Sequence, residues 1–316
     1  MKRFLTQIAI ITVVLYGLAW GLDYMISKGL MRMEDYRFMS WNQMQQGDIN
    51  ADIIIMGNSR GFSHYEPWTI DSICGKSCYC LGLGGYPINV ELFKYRFYCL
   101  HNVKPRYIIY DVGPLMMQIL PAPHQHQSEQ FLPLIYVKPM RSELQEVGYS
   151  WLDTHMPLKR YFGYQMVIKN GLMEFLGIKH YTKDPSRLGH HYERGVWNGE
   201  ELAKLDSISG VINPEAKQMF EQYLHECKGE GIEVIMVNSP MYKGAVDITT
   251  RKEENRVYFD SIAKANDYVY WDYTQDYPLC NDTANFCVSV HMNPIATHQF
   301  TIDLANKINE YLATHD

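Results

Sequence analysis

The hydrophobic pattern changes character three times along this chain of 316 residues. Phe4 to Leu22 (FLTQIAIITVVLYGLAWGL) runs 19 positions without a charge. As a helix it is roughly 28 Å long, close to the hydrocarbon thickness of a bilayer. Lys2 and Arg3 precede it and Asp23 follows. The positive flank predicts a cytoplasmic N-terminus and a body on the other side of the membrane. A cleaved signal peptide is the rival. Its apolar region would be shorter, and Trp20 and Leu22 spoil the small-residue site near Gly17, Ala19 and Gly21. An uncleaved anchor over residues 1–28 and a Met-rich linker helix over 29–50 are therefore expected.

From residue 51 short apolar runs alternate with helical patterns. Asp52–Met56 (DIIIM), Ser77–Leu83 (SCYCLGL), Tyr107–Val112 (YIIYDV), Ile232–Val237 (IEVIMV) and Asp267–Trp271 read as strands. Their continuous apolar, β-branched character is that of strands buried on both faces of a parallel sheet. Helices are predicted from Pro87 to about Leu100, from Pro214 to about Lys228, from Thr250 to Ala265 and from Pro294 to about Ala313. Pro stands at the first turn of three of them, where its missing N–H costs nothing. Asn213 is the expected cap of the second. The order of elements predicts an α/β domain over 51–316, with a five-stranded parallel sheet and helices on both faces. Between about 115 and 207 the periodicity fails, apart from helical stretches at Arg141–Val147 and Tyr161–Leu176. That stretch is read as an insertion packed over the sheet.

Composition narrows the class. Hydrophobic residues make up 47% and charged residues 20%, which excludes wholesale disorder. A net charge of −6 leaves no basic footprint for nucleic acid. The 24 tyrosines are read mainly as core, with a carbohydrate-facing wall in the insertion as the alternative. An exported body permits disulfides. Cys280–Cys287 is the expected loop closure and Cys74–Cys78 a weaker one, with at least one of the seven cysteines left free. No Cys-x-x-Cys occurs and no cysteine has finger spacing from a histidine pair, so neither zinc nor any cofactor is expected. His124 and His126 face one way only in a strand and lack a third ligand. His190-His191 is read as a surface pair.

Ligands of doubly wound sheets bind outside the carboxyl ends of the strands. Three strand ends carry chemistry. Met56-Gly57-Asn58-Ser59-Arg60 places a serine at a Gly-assisted turn, where its hydroxyl is presented beside free backbone N–H groups. Gly82-Leu83-Gly84-Gly85 lets backbone approach a ligand closely. Asp111-Val112-Gly113-Pro114 ends the third strand, and Asp111 is expected to pair with Arg60 or cap a turn. Near the C-terminus, His291-Met292-Asn293-Pro294 offers the base that a hydroxyl nucleophile needs.

The GNSR turn, the LGLGG turn and HMNPIATHQFT before a terminal helix resemble the SGNH/GDSL hydrolase superfamily, and its membrane-anchored cell-envelope members in particular. The resemblance covers about 50–112 and 213–314. It implies a flavodoxin-like three-layer α/β/α fold and ester hydrolysis or acyl transfer through a serine. Carried over by position, Ser59 is the nucleophile, its N–H and that of Gly85 hold the oxyanion, and His291 is the base. An acylated envelope glycan or lipid-linked sugar is the implied substrate. Two positions depart from the family. Val288 stands where an Asp usually precedes the histidine by three residues, and Leu115 stands near the place of an oxyanion Asn. Losing one such donor costs roughly 10²–10³ in rate. Asp282, Asp272 and Asp111 are the candidates for a third catalytic member. The alternative function is a catalytically weak or inactive SGNH-fold protein that binds or helps assemble surface polysaccharide.

Overall fold

The computed structural model describes residues 1–118, 128–138, 140–146, 148–182 and 186–315. His124 and His126 lie outside the described residues. The chain divides into two compact units, Met1–Gln46 with Pro121–Ser186, and Gly47–Leu120 with Arg187–Asp316.

The first unit is built on a helix spanning Lys2–Leu30. It is the one described helix long and apolar enough to cross a membrane. Its residues up to Leu18 are exposed, whereas Asp23, Ile26, Ser27, Gly29 and Leu30 are buried. The buried half is locked by a polar network. Arg160 donates to both carboxylate oxygens of Asp23 at 2.7 Å, Tyr136 Oη donates at 2.6 Å and the Leu158 N–H at 2.7 Å. Every acceptor direction of that buried carboxylate is used, which a buried ion pair requires if it is to be tolerated. Ser27 Oγ lies 2.6 Å from Tyr161 Oη. Helix Gln165–Phe175 crosses so closely that a Cβ on Gly29 would sit 1.7 Å from the Gly171 carbonyl oxygen. Residues 128–182 thus share a unit with the N-terminal segment.

The second unit holds a five-stranded, all-parallel sheet. Its strands are β1 (Ile53–Met56), β2 (Cys78–Cys80), β3 (Tyr107–Asp111), β4 (Glu233–Asn238) and β5 (Val269–Asp272), in the order β2-β1-β3-β4-β5. The first three are buried at every position and β4 at four of six, as their unbroken apolar runs require. Helix Pro214–Gly229 begins where expected. Asn213 Oδ1 accepts from the N–H groups of Glu215 and Ala216, with Pro214 at the first helical position. A short helix, Ser59–Ser63, follows the turn after β1, and a second one, Pro67–Cys74, escapes the sequence pattern. So does an antiparallel pair, β6 (Phe286–Val288) and β7 (His291–Met292), just before the last helix, Pro294–His315.

The chain leaves β1 in one direction toward β2, and β3 lies on the other side of β1. The crevice between the carboxyl ends of β1 and β3 is therefore the topological switch point, where such sheets bind ligands.

The expected disulfides do not form; all seven cysteines are free thiols. Cys280 Sγ points to the Tyr273 carbonyl at 3.2 Å, Cys287 Sγ to the Glu193 carbonyl at 3.4 Å and Cys74 Sγ to the Ala305 carbonyl at 3.5 Å. His190-His191 is not a surface pair. His190 is buried beside Trp68 and Tyr192, and His191 stacks on Phe62. The tyrosine count is in good part core, with Tyr65, Tyr98, Tyr110 and Tyr161 fully buried.

Candidate functional site

The turn after β1 is shaped by Gly57. Its φ of +132° is a conformation that L side chains rarely adopt, and a Cβ there would meet Asp111 Cβ at 2.9 Å. Asn58 then caps the next helix, its side chain accepting from the Arg60 N–H. Ser59 is the first helical residue, so its own N–H has no intrahelical acceptor. The helix is clamped against the turn after β2, where a Cβ on Gly82 would fall 2.3 Å from the Phe62 nitrogen. Buried Lys94 donates to the Gly82 carbonyl at 3.3 Å, and desolvation lowers its ammonium to a pKa of about 8. Gly85 lies in that turn at φ +79°, exposed, with open space where a side chain would be.

The two residues expected to act together meet. Ser59 Oγ lies 2.7 Å from His291 Nε2, across 232 positions of sequence. His291 is carried by β7, and the hairpin that holds it is pinned from outside. The Ser289 N–H donates to Glu201 Oε1 at 2.7 Å and the Tyr242 N–H to the Ser289 carbonyl at 2.9 Å. Burial lowers the His291 pKa to about 4, with the Arg60 guanidinium acting in the same direction. His291 is therefore a neutral acceptor at neutral pH.

None of the three candidate carboxylates touches His291. Asp111 pairs with Arg60, as expected, Nη2 to Oδ1 at 3.1 Å, and accepts from Tyr65 Oη at 2.5 Å. Both partners of that pair are buried. Arg60 also donates to Asn238 Oδ1, the Ser239 carbonyl and the Val112 carbonyl at 3.0–3.1 Å. Asp272 accepts from Asn238 Nδ2, from the Thr274 N–H and from Thr274 Oγ1. Asp282 caps the turn at Thr283–Asn285. Val288 is the register partner of His291 in the β6–β7 pair, and its aliphatic side chain carries no hydrogen-bond acceptor.

His64 is the residue that the sequence analysis passed over. It is fully buried, five positions after Ser59, and its ring meets that of His291 edge-on with centroids 6.0 Å apart. The Met292 N–H donates to His64 Nε2 at 3.1 Å, which puts the ring proton on Nδ1, 2.9 Å from Ser239 Oγ. Burial holds His64 well below the usual imidazole pKa. A neutral histidine thus fixes the backbone next to His291. The end of the fourth strand, Asn238-Ser239, was the available signal for this layer.

A cavity of about 320 Å³ opens beside Arg60. Leu115, Asn238, Lys243, Tyr270 and Asp272 help to line it, and Ser59 and His291 do not. Among the described residues no group of three or more His, Cys, Asp or Glu is placed to hold a metal ion.

The site thus holds a hydroxyl against a neutral base, at a helix start, beside a glycine turn, at the sheet's switch point, an arrangement in which a hydroxyl can lose its proton to the base. No family model matches this chain, and no curated protein matches it.

Proposed function

We propose that this protein is a membrane-anchored, extracytoplasmic SGNH-like serine ester hydrolase or O-acyltransferase, acting on an acylated cell-envelope glycan or lipid-linked sugar. The observation that carries the reading is the Ser59 Oγ–His291 Nε2 approach of 2.7 Å. The strand order 2-1-3-4-5 is that of flavodoxin-like sheets, which supports the three-layer architecture implied by the resemblance. The exposed apolar stretch of helix Lys2–Leu30 supports the anchor, and the Lys2-Arg3 flank supports a body outside the cytoplasm, periplasmic in a Gram-negative source.

In the proposed reaction Ser59 Oγ attacks the acyl carbonyl while its proton passes to His291 Nε2. The N–H groups of Ser59 and Gly85 receive the oxyanion. Collapse breaks the ester C–O bond, and the leaving alcohol takes the proton from His291. Water or a sugar hydroxyl then attacks the acyl-serine, giving its proton to His291, and Ser59 is released. The cavity lined by Arg60, the residue after Ser59, has the volume to take a sugar ring.

Two features tune this chemistry. The depressed His291 pKa means that the base is already unprotonated through the neutral range. The active form is lost only as pH falls through about 4. We expect kcat/KM for a small acetyl ester to stay level from about pH 8 down to about pH 5.5 and to fall below that. An acid limb centred near the ordinary imidazole pKa of about 6.5 would contradict this. The second feature is the missing carboxylate. Cross-strand partners have Cβ atoms about 5 Å apart on one face, so Val288→Asp should set a carboxylate beside the His291 ring. The variant is expected to move the acid limb upward and to raise kcat about tenfold, less than the 10²–10⁴ of a complete acid–base contribution. An unchanged pH profile would show that position 288 cannot serve His291.

The alternative is a weak or inactive SGNH-fold protein that binds or helps assemble surface polysaccharide. Val288 favours it, as does the lack of a hydrogen-bond partner for His291 Nδ1 among the described residues. Polysaccharide retention that is unaffected by Ser59→Ala, together with no ester turnover, would select this alternative.

A further inference from the structure

The polar lock at Asp23 also fixes which part of the first unit lies level with the end of the apolar stretch. Leu158 and Arg160 both reach Asp23, the first charge after that stretch, and Tyr136 packs edge-on against Trp20 and Tyr24. The helix Trp151–His155 joins the same place through Lys159, whose Nζ lies 3.4 Å from Asp153. Helix Gln165–Phe175 runs in the same direction as the long helix. A Cβ on Gly171 would meet Ile26 and Leu30, while Phe175 lies by Gly29 and Arg32. Met166, five residues earlier, is therefore about 7 Å nearer the apolar stretch.

Around this level the unit exposes large apolar side chains. Phe162 is 88% exposed, Met166 65% and Trp151 61%, and Leu152 and Met156 are exposed as well. A cluster of this kind on a water-facing surface marks an interaction site. It lies near the level of Asp23, where the exposed apolar stretch of the long helix ends, and that placement points to lipid as what covers it. We propose that Trp151, Phe162 and Met166 form a lipid-contacting collar that enters the interfacial layer of the bilayer spanned by the long helix. Amphipathic and aromatic side chains favour that layer. The unit then holds the membrane by a span and a surface dock together, and the buried Asp23–Arg160 pair keeps the two rigidly aligned. This inference rests on the anchor reading given above.

Photocrosslinking in the full chain tests it. A photoreactive benzoylphenylalanine replaces Phe162, Met166, Val13 or Ile178, one at a time, and the protein is reconstituted in phosphatidylcholine–phosphatidylglycerol vesicles. Val13 reports the span. Ile178 is 61% exposed and apolar but lies beyond the far end of helix Gln165–Phe175. All four positions are at least intermediate in exposure, so the probe displaces no core packing. The expected result is lipid adducts at 162 and 166 in yields comparable to Val13 and at least tenfold above Ile178. Adducts at Val13 without adducts at 162 and 166 would overturn the collar while leaving the anchor standing. Absence of lipid adducts at Val13 would overturn both. Protein–protein adducts at 162 and 166 in place of lipid adducts would replace the collar with a protein-docking face.

Discussion

Ser59→Ala is expected to lower ester turnover by three or more orders of magnitude while leaving the thermal unfolding midpoint within a few degrees of the parent. In the proposed reaction Ser59 Oγ forms the acyl bond, so its removal should have a large kinetic effect; serine-enzyme nucleophile deletions cost about 10⁶ in kcat where the machinery is complete. Among the described residues no carboxylate is hydrogen-bonded to His291, so the parent rate is expected to be reduced and the measurable loss correspondingly smaller. The small structural effect follows from the contacts of the hydroxyl, whose hydrogen-bond partner is His291. Residues that act as a unit are not additive in kinetics. The double variant Ser59→Ala/His291→Ala should therefore be no slower than Ser59→Ala alone. Turnover retained in Ser59→Ala, measured with a chromogenic acetyl ester on the full chain in detergent, would mean that the activity resides elsewhere.

The largest stability effect is expected at Asp111. Arg60 is buried directly beneath the site with its charge opposed by Asp111 at 3.1 Å. Asp111→Ala leaves that guanidinium without a counter-charge and strands the Tyr65 hydroxyl. Breaking a buried pair from one side costs about 3–5 kcal/mol. For a unit of this size that is roughly a 10 °C fall in the unfolding midpoint. Asp111→Asn keeps an acceptor for Tyr65 and should lose less. A double-mutant cycle with Arg60→Met should return a coupling above about 1 kcal/mol. If Asp111→Ala unfolds within a degree or two of the parent, the pair is not the strut described here. The prediction also separates two roles. Asp111 supports Arg60 and the turn after β1, and it does so without reaching His291.

These expectations show what was legible in the sequence. The sheet was legible because strands buried on both faces must be apolar throughout, and IIIM, YIIYD and EVIMV cannot be mistaken for amphipathic helices of the same length. The Ser59–His291 pair was legible because a parallel sheet collects its functional residues at the carboxyl ends of its strands, however distant they are in sequence. The β6–β7 hairpin was not, since three residues facing two carry no period. Helix Pro67–Cys74 was equally silent, although Pro67 opens it and left-handed Gly75 closes it. The association of residues 128–182 with the N-terminal helix depends on Asp23 meeting Arg160 across 137 positions, which no local pattern records. The role of His64 is of the same kind. A single histidine after a short helix says nothing until the Met292 N–H is seen to donate to it. The cysteines failed for the opposite reason. Their spacing suggested loop closure, but their thiols are turned toward backbone carbonyls.

If Ser59 is the activated nucleophile of the proposed reaction, an electrophile that mimics the acyl group should capture it covalently. The full chain in detergent is treated with a fluorophosphonate at pH 7.5, and the adduct is located by peptide mass spectrometry. One stoichiometric adduct is expected on the peptide containing Ser59, absent in Ser59→Ala and at least a hundredfold slower to form in His291→Ala, within the usual range for loss of a general base. No adduct on the folded protein, or an adduct on another residue that persists in Ser59→Ala, would contradict it.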